Sequence, residues 1–367
     1  MIKNKRYLKF LNIICLTVGN LLILSSFLTF GFLIARLNDK NGFSAILYFV
    51  ILYTLLYITL LLHELGHAFF GELTGFKTVA ISLGKYSFVN QQGHWKFTKK
   101  LLVQGAGAQY VGIKKDHNDT RSILMLFGGI IIHISLIFIF LMIGLILNHW
   151  LIALPQILIN LGFVFLNINP NGITDGAKVL ELKEYPHHSK LFYQSLEHAA
   201  QLFLDSKESN LSDFYSLDDS LLEPGIICQT VLANVIEVQI LNGNLELAQQ
   251  KAEQLIQFTE NKFIKAATES LLLLIYLLQN EKEKAIKLGK SKTLQTYLKQ
   301  QQYSLQTIKA YYELECLGDY TATKKSLATA DKFLKQSHLL QDDKTFYTAL
   351  NATLQKNLNN AISSKHS

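Results

Sequence analysis

Residues 43–70 read FSAILYFVILYTLLYITLLLHELGHAFF, and the reading of this stretch decides the fold. From Phe43 to Leu62 there is no Asp, Glu, Lys or Arg. About 20 such residues are enough to cross a bilayer as a helix. The run closes on His63-Glu64-Leu65-Gly66-His67. An acidic side chain in such a setting is expensive, about 2.5–3.5 kcal/mol at mid-bilayer. None of the predicted spans holds a Lys or Arg to pair with it, so a cation from outside the chain is the simplest compensating charge. Positions 63 and 67 share one helix face, so both imidazoles can ligate one metal ion. Glu64, one residue after the first His, is then placed to act as general base towards a metal-bound water.

Outward from this segment, two further charge-free runs occupy residues 10–35 and 122–174. The first follows Lys3, Lys5, Arg6 and Lys9 and has the outline of a signal peptide. Its extent from 10 to 35 exceeds the usual apolar core of about 7–15 residues, so it reads as a membrane span. The second is long enough for two spans, at 122–148 and 150–168, separated by Asn148-His149-Trp150. Trp150 suits a membrane–water boundary, and Pro155 is a candidate kink. The expectation is about four spans, 10–35, 43–70, 122–148 and 150–168.

Composition agrees. Of 367 residues, 49% are hydrophobic and 17% charged, with a formal net charge of +7. Residues 1–183 hold 16 Lys/Arg and 7 Asp/Glu, and the remainder 19 and 21, so the halves carry +9 and −2. A wholly soluble protein is excluded. The positive charge sits in the N-terminal tail and loop 71–121, whereas loops 36–42 and 148–150 are nearly neutral. That asymmetry places both termini in the cytoplasm and implies no nucleic-acid partner. Cys15, Cys228 and Cys316 are far apart, so neither a disulfide framework nor a thiolate zinc site is expected. Loop 71–121 alternates weakly at 78–83 and 95–98, which predicts short β-hairpins at the membrane surface.

After Pro186 the texture changes to helical apolar spacing over 187–204 and 225–338, with a Ser/Asp-rich loop at 205–223 between them. Leu241–Ala248, Leu278–Ala285 and Leu317–Tyr320 look alike, at offsets near 37 and 38 positions. Each is a turn that closes an apolar helix and opens an amphipathic one, the pattern of stacked, tetratricopeptide-like helical hairpins. The tail after about 355 is expected to fray. The fold class is therefore all-α and polytopic with a small β element: a membrane domain over 1–183, then a cytoplasmic helical-repeat domain over 184–367.

A zinc ion that keeps one position open for chemistry needs a third protein ligand. Asp175 is the candidate, in Asn167-Ile168-Asn169-Pro170-Asn171-Gly172-Ile173-Thr174-Asp175-Gly176 at the cytoplasmic end of the fourth span. Spans two and four enter from the same side near residues 43 and 150, so His63 and Asp175 reach comparable depths. His187-His188 reads as solvated linker.

HELGH in one span and Asn167-x-x-Pro170-(x)4-Asp175-Gly176 in a later one together resemble the site-2 protease family of intramembrane zinc metalloproteases. The likeness covers residues 41–183. It implies His63, His67 and Asp175 as zinc ligands, Glu64 as catalytic base, and Asn167 as a contact to the substrate backbone or transition state. In the middle span, Phe127-Gly128-Gly129-Ile130-Ile131-Ile132-His133 stands where the family has a glycine-rich segment and a later Asn. His133 is then either a polar residue of the active-site cavity or a fourth ligand that quiets the zinc. Thr174 replaces the usual Leu before Asp-Gly, and loop 71–121 is too short for the PDZ domain found in many relatives.

The resemblance implies a metalloendopeptidase that hydrolyses a peptide bond in or near the transmembrane segment of a membrane protein or a leader or signal peptide. The helical repeats are expected to receive a protein or peptide partner. The alternative is a metal-binding membrane protein of the same fold without turnover, acting as a binding, immunity or regulatory factor.

Overall fold

A computed structural model describes residues 5–35, 43–83, 86–91, 93–98, 109–112, 119–201, 225–337 and 341–366. Two compact units divide the chain, residues 1–96 with 105–190 and residues 97–104 with 191–367. The expected loop at 205–223 lies outside the described residues.

Among the described residues, four helices of the first unit are long and apolar enough to cross a membrane: α1 (Lys5–Ala35), α2 (Phe43–Leu73), α3 (Asp119–Leu147) and α4 (Trp150–Asn167). The four expected spans are these helices, with ends within a few residues. Their outer faces carry bare hydrocarbon, with Ile46 and Ile146 each 67% exposed. Such surfaces belong in lipid. Helix α3 packs on both α2 and α4, and α1 packs on α4. The α1–α4 contact is a glycine crossing, since a β-carbon on Gly162 would stand 2.9 Å from the Gly19 carbonyl oxygen. The chain turns from α3 into α4 at Asn148, whose φ of 53° is left-handed. Asn tolerates that conformation better than most residues.

Between α2 and α3 lies a four-stranded sheet, β1 (Lys77–Leu83), β2 (Tyr86–Gln91), β3 (His94–Thr98) and β4 (Gln109–Gly112), in the order β3-β2-β1-β4. Strand β1 is antiparallel to both neighbours, with Ala80 opposite Val89 and Tyr110. It also packs on α2. The Glu72 carboxylate accepts the Thr78 backbone N–H at 2.7 Å, which ties the strand to the end of the helix. The alternation at 78–83 and 95–98 marks β1 and β3.

Helix α5 (Asp175–Glu184) follows the Asn-Pro-Asn-Gly turn, and α6 (His188–Gln201) follows Pro186. His187 is exposed as expected of a linker, but His188 is not. It is fully buried, with Nδ1 2.7 Å from Glu181 Oε1. The turn at Pro186 folds α6 back so that a residue seven positions earlier becomes its partner.

In the second unit α7 (Ile226–Leu241) and α8 (Leu245–Phe258) form one hairpin. A second hairpin runs from α9 (Lys262–Leu278) to α10 (Lys282–Gly289) with α11 (Lys292–Tyr297). In the third, α12 (Tyr303–Tyr312) continues through a wide π turn, Glu313–Leu317, into α13 (Tyr320–Gln336). The turn residue with positive φ recurs at Gly243 (76°), Asn280 (59°) and Gly318 (61°), at the spacing of the sequence repeat. Leu232, Ile236, Ala248, Leu273, Ile275 and Ile308 share the core.

A β-carbon at Gly243 or Gly318 would meet nothing within 4 Å, so only the backbone conformation is at stake there. Gly243→Ala and Gly318→Ala should each destabilise the repeats by about 1–2 kcal/mol, read as earlier urea unfolding by circular dichroism.

Residues 356–366 are helical, not frayed, because they belong to α14 (Gln341–His366). Leu354 and Leu358, one turn apart, are each 1% exposed and bury the helix against α12 and α13.

Candidate metal centre

Three elements build the site. Helix α2 carries His63, Glu64 and His67 on its last turns, and all three are buried. Asp175 opens α5. Its position depends on Thr174, whose hydroxyl donates to the Asn169 carbonyl at 2.6 Å and accepts the Ala177 backbone N–H at 3.2 Å. Thr174 is thus the N-cap of α5, which explains a hydroxyl residue at that position. Gly176 lets the turn close, because a β-carbon there would lie 2.5 Å from the Ile168 carbonyl oxygen. Asn169 donates to Asn12 of α1 at 2.8 Å and steadies the turn from the other side.

The ligand atoms converge. His63 Nε2 and His67 Nε2 are 3.1 Å apart, and Asp175 Oδ2 lies 3.6 Å from the first and 3.2 Å from the second. His67 Nδ1 is 2.8 Å from the Met125 carbonyl oxygen. A carbonyl can only accept, so Nδ1 carries the proton and Nε2 turns a lone pair inward. Lone pairs and a carboxylate facing one another in a buried place are stabilised by a shared proton or a cation. His63, His67 and Asp175 form a group that could bind a metal ion. Lys178, 3.5 Å from Asp175 Oδ1, meets the carboxylate on its outer side.

Helix α3 crosses α2 at this point through paired glycines. A β-carbon on Gly66 would stand 2.5 Å from the Gly128 carbonyl oxygen, and one on Gly128 would stand 2.4 Å from that of Gly66. The glycine-rich segment thus brings two backbones together beside the ligands.

His133, one turn beyond Gly129, is fully buried behind His63: its Nε2 is 3.1 Å from His63 Nδ1, the ring nitrogen turned away from Asp175. Its Nδ1 is 2.8 Å from Asn160 Oδ1 on α4. Asn167 ends α4 half-buried and donates its amide to the Phe163 carbonyl of its own helix at 3.0 Å. The structure therefore gathers His63, His67 and Asp175 beside Glu64, with His133 in contact through His63. Asn160 was not foreseen. Its signal is a second polar amide, Gln156, one turn earlier on the same apolar helix; both residues are fully buried.

The second unit holds another buried ionisable group, in which the Tyr303 hydroxyl donates to Asp343 and the Tyr347 hydroxyl lies 3.5 Å from Glu237. Burial pushes Glu237 up to about 7 from the ordinary 4.5, the charge of Asp342 pushes the same way, and the Tyr347 hydrogen bond opposes both. Asp343 is raised well above the usual carboxylate range, by burial first and by Glu237 second. The unfolded chain releases the Glu237 proton near 4.5 and the folded chain near 7, so the folded state holds more protons between these values. The contribution of Glu237 to the stability of the repeats should be fullest below pH 4.5 and be lost as pH rises to about 7. Across that window the wild-type urea midpoint should fall relative to that of Glu237→Gln.

The chain matches no known family model, no curated protein and no solved structure. Fold and site by themselves define a membrane protein with four apolar helices and a possible His/Asp metal centre.

Proposed function

We propose that the chain is an intramembrane zinc metalloprotease. One observation carries the reading: His63 and His67 of the apolar helix α2 and Asp175 at the start of α5 converge to between 3.1 and 3.6 Å, with Glu64 buried next to the first ligand. Atoms about 2.0–2.1 Å from a tetrahedral zinc ion lie about 3.3 Å from one another, so the donor set fits that ion. A divalent ion also offsets the buried negative charge of Glu64 and Asp175, part of which Lys178 already meets. Bound there, zinc supplies a Lewis acid that polarises a carbonyl and makes water acidic near neutral pH.

The chain's own residues do the rest. Glu64 takes a proton from the attacking water and passes it to the leaving amine. Asn167, at the mouth of the Asn-Pro-Asn-Gly turn, holds the substrate backbone. A helical substrate has no free carbonyl to offer until it unwinds, so Gly, Pro, Asn or Ser in its span favours cleavage. Strand β4 is an edge strand beside α2 and offers the unwound segment a partner by strand addition. The basic tail and loop support cytoplasmic termini, with the helical repeats on that side receiving a protein or peptide partner.

The test is co-expression with a panel of single-span substrates that differ in helix-breaking residues. Fragments should appear with the breaker-rich members first. A panel left intact by a metal-loaded chain would favour the reading without turnover.

A further inference from the structure

We propose that His133 and Asn160 form a positioning relay that holds His63 in its metal-binding tautomer; the proposal rests on the metal centre above. Each hydrogen bond fixes the next. Asn160 Nδ2 donates to the Gln156 carbonyl oxygen at 2.8 Å, so the amide cannot flip and Oδ1 faces His133. Oδ1 only accepts, and His133 Nδ1 lies 2.8 Å from it, so that nitrogen carries the proton. A neutral imidazole protonated at Nδ1 has its lone pair on Nε2. His133 Nε2 lies 3.1 Å from His63 Nδ1, which must therefore donate. The lone pair of His63 is left on Nε2, the atom that faces His67 and Asp175.

The opposite tautomer of His63 would put a proton where the ion belongs and set two lone pairs against each other at His133. Packing holds the relay in register. Phe163 stacks on the His133 ring with centroids 5.2 Å apart and planes 13° off parallel. His133, Asn160 and Gln156 are all fully buried, so water does not compete for these bonds. The relay spans α4, α3 and α2, and His67 takes its own orientation from α3 through Met125. Helix α3 thus contributes no ligand and orients both histidines. Partners of this kind commonly carry about 10–100-fold in metal affinity.

The experiment measures zinc affinity of the full-length chain in detergent, by competition with a chromophoric chelator, together with histidine nitrogen NMR of the metal-free chain. His133→Phe keeps a ring of similar size and removes both nitrogens; affinity should fall by about 10–100-fold. His133→Gln restores an acceptor towards His63 and a donor towards Asn160, and should recover most of the loss. Asn160→Leu removes the far end of the relay without touching His133 and should weaken binding by about 10-fold. Wild-type affinity in His133→Phe, or no recovery in His133→Gln, would overturn the relay, the second result reducing His133 to packing. If the wild type takes up no zinc, the metal centre itself fails, and the NMR decides the relay separately. His63 should be protonated at Nδ1 in the wild type and lose that preference in His133→Phe, whereas protonation at Nε2 in the wild type overturns the proposal.

Discussion

Glu64→Gln is expected to reduce substrate cleavage by about 10²–10⁴-fold, the usual contribution of general acid–base catalysis, while zinc stays bound. The two outcomes separate because Glu64 stands beside the trio His63, His67 and Asp175 and is not part of it. Gln has nearly the volume of Glu, so the buried site keeps its packing and loses only a proton acceptor and one negative charge. Asp175→Ala should behave in the opposite order, losing the ion first and activity with it. Cleavage assays with a breaker-rich single-span substrate and metal analysis of the same preparations provide both readouts. Equal processing by wild type and Glu64→Gln would refute a catalytic role for Glu64 and leave a metal-binding protein without turnover. Loss of zinc in Glu64→Gln would instead make Glu64 a ligand.

The membrane unit was legible because apolar solvent leaves a sequence few choices. Every charge in a span has to be explained, so His63, Glu64 and His67 stood out, and the charge-free run 122–174 pointed to Asp175 beyond its end. The repeat was legible through its turns, since only residues that tolerate positive φ occupy 243, 280 and 318. What escaped depends on partners that only the folded chain brings together. Asn160 reads as one of two amides on an apolar helix until α3 brings His133, 27 positions earlier, against it. His188 looks solvated until the Pro186 turn sets it on Glu181. Residues 355–366 carry few apolar side chains, yet Leu358, one turn after Leu354, is enough to dock the end of α14. A polar residue in a helix advertises a role, but the sequence does not say whether it touches the ion or the residue behind it. His133 shows the difference.

Gly129→Ala should empty the metal centre although no ligand is changed. A β-carbon at 129 would stand 2.2 Å from His63 Cε1, 2.4 Å from Nδ1 and 2.7 Å from Nε2, far inside van der Waals contact. Something has to move. Helix α2 cannot simply back away, because the Gly66–Gly128 crossing holds the two backbones together across the same turn. The His63 ring cannot rotate in place either, since Nδ1 is tied to His133 and Nε2 lies among His67 and Asp175. Either the ring leaves the site or the helices part, and both outcomes scatter the ligands. Overpacking of this kind destabilises by about 1–3 kcal/mol, and here that strain falls on a group of atoms that must meet one ion. Zinc affinity should drop by up to about 100-fold, that strain converted at about 1.4 kcal/mol per factor of ten. Gly31→Ala is the control in the same unit, because a β-carbon there meets nothing within 4 Å, and it should leave both zinc content and cleavage unchanged. Full zinc occupancy in Gly129→Ala would mean that His63 does not hold the ion, and the centre would have to be rebuilt on His67 and Asp175.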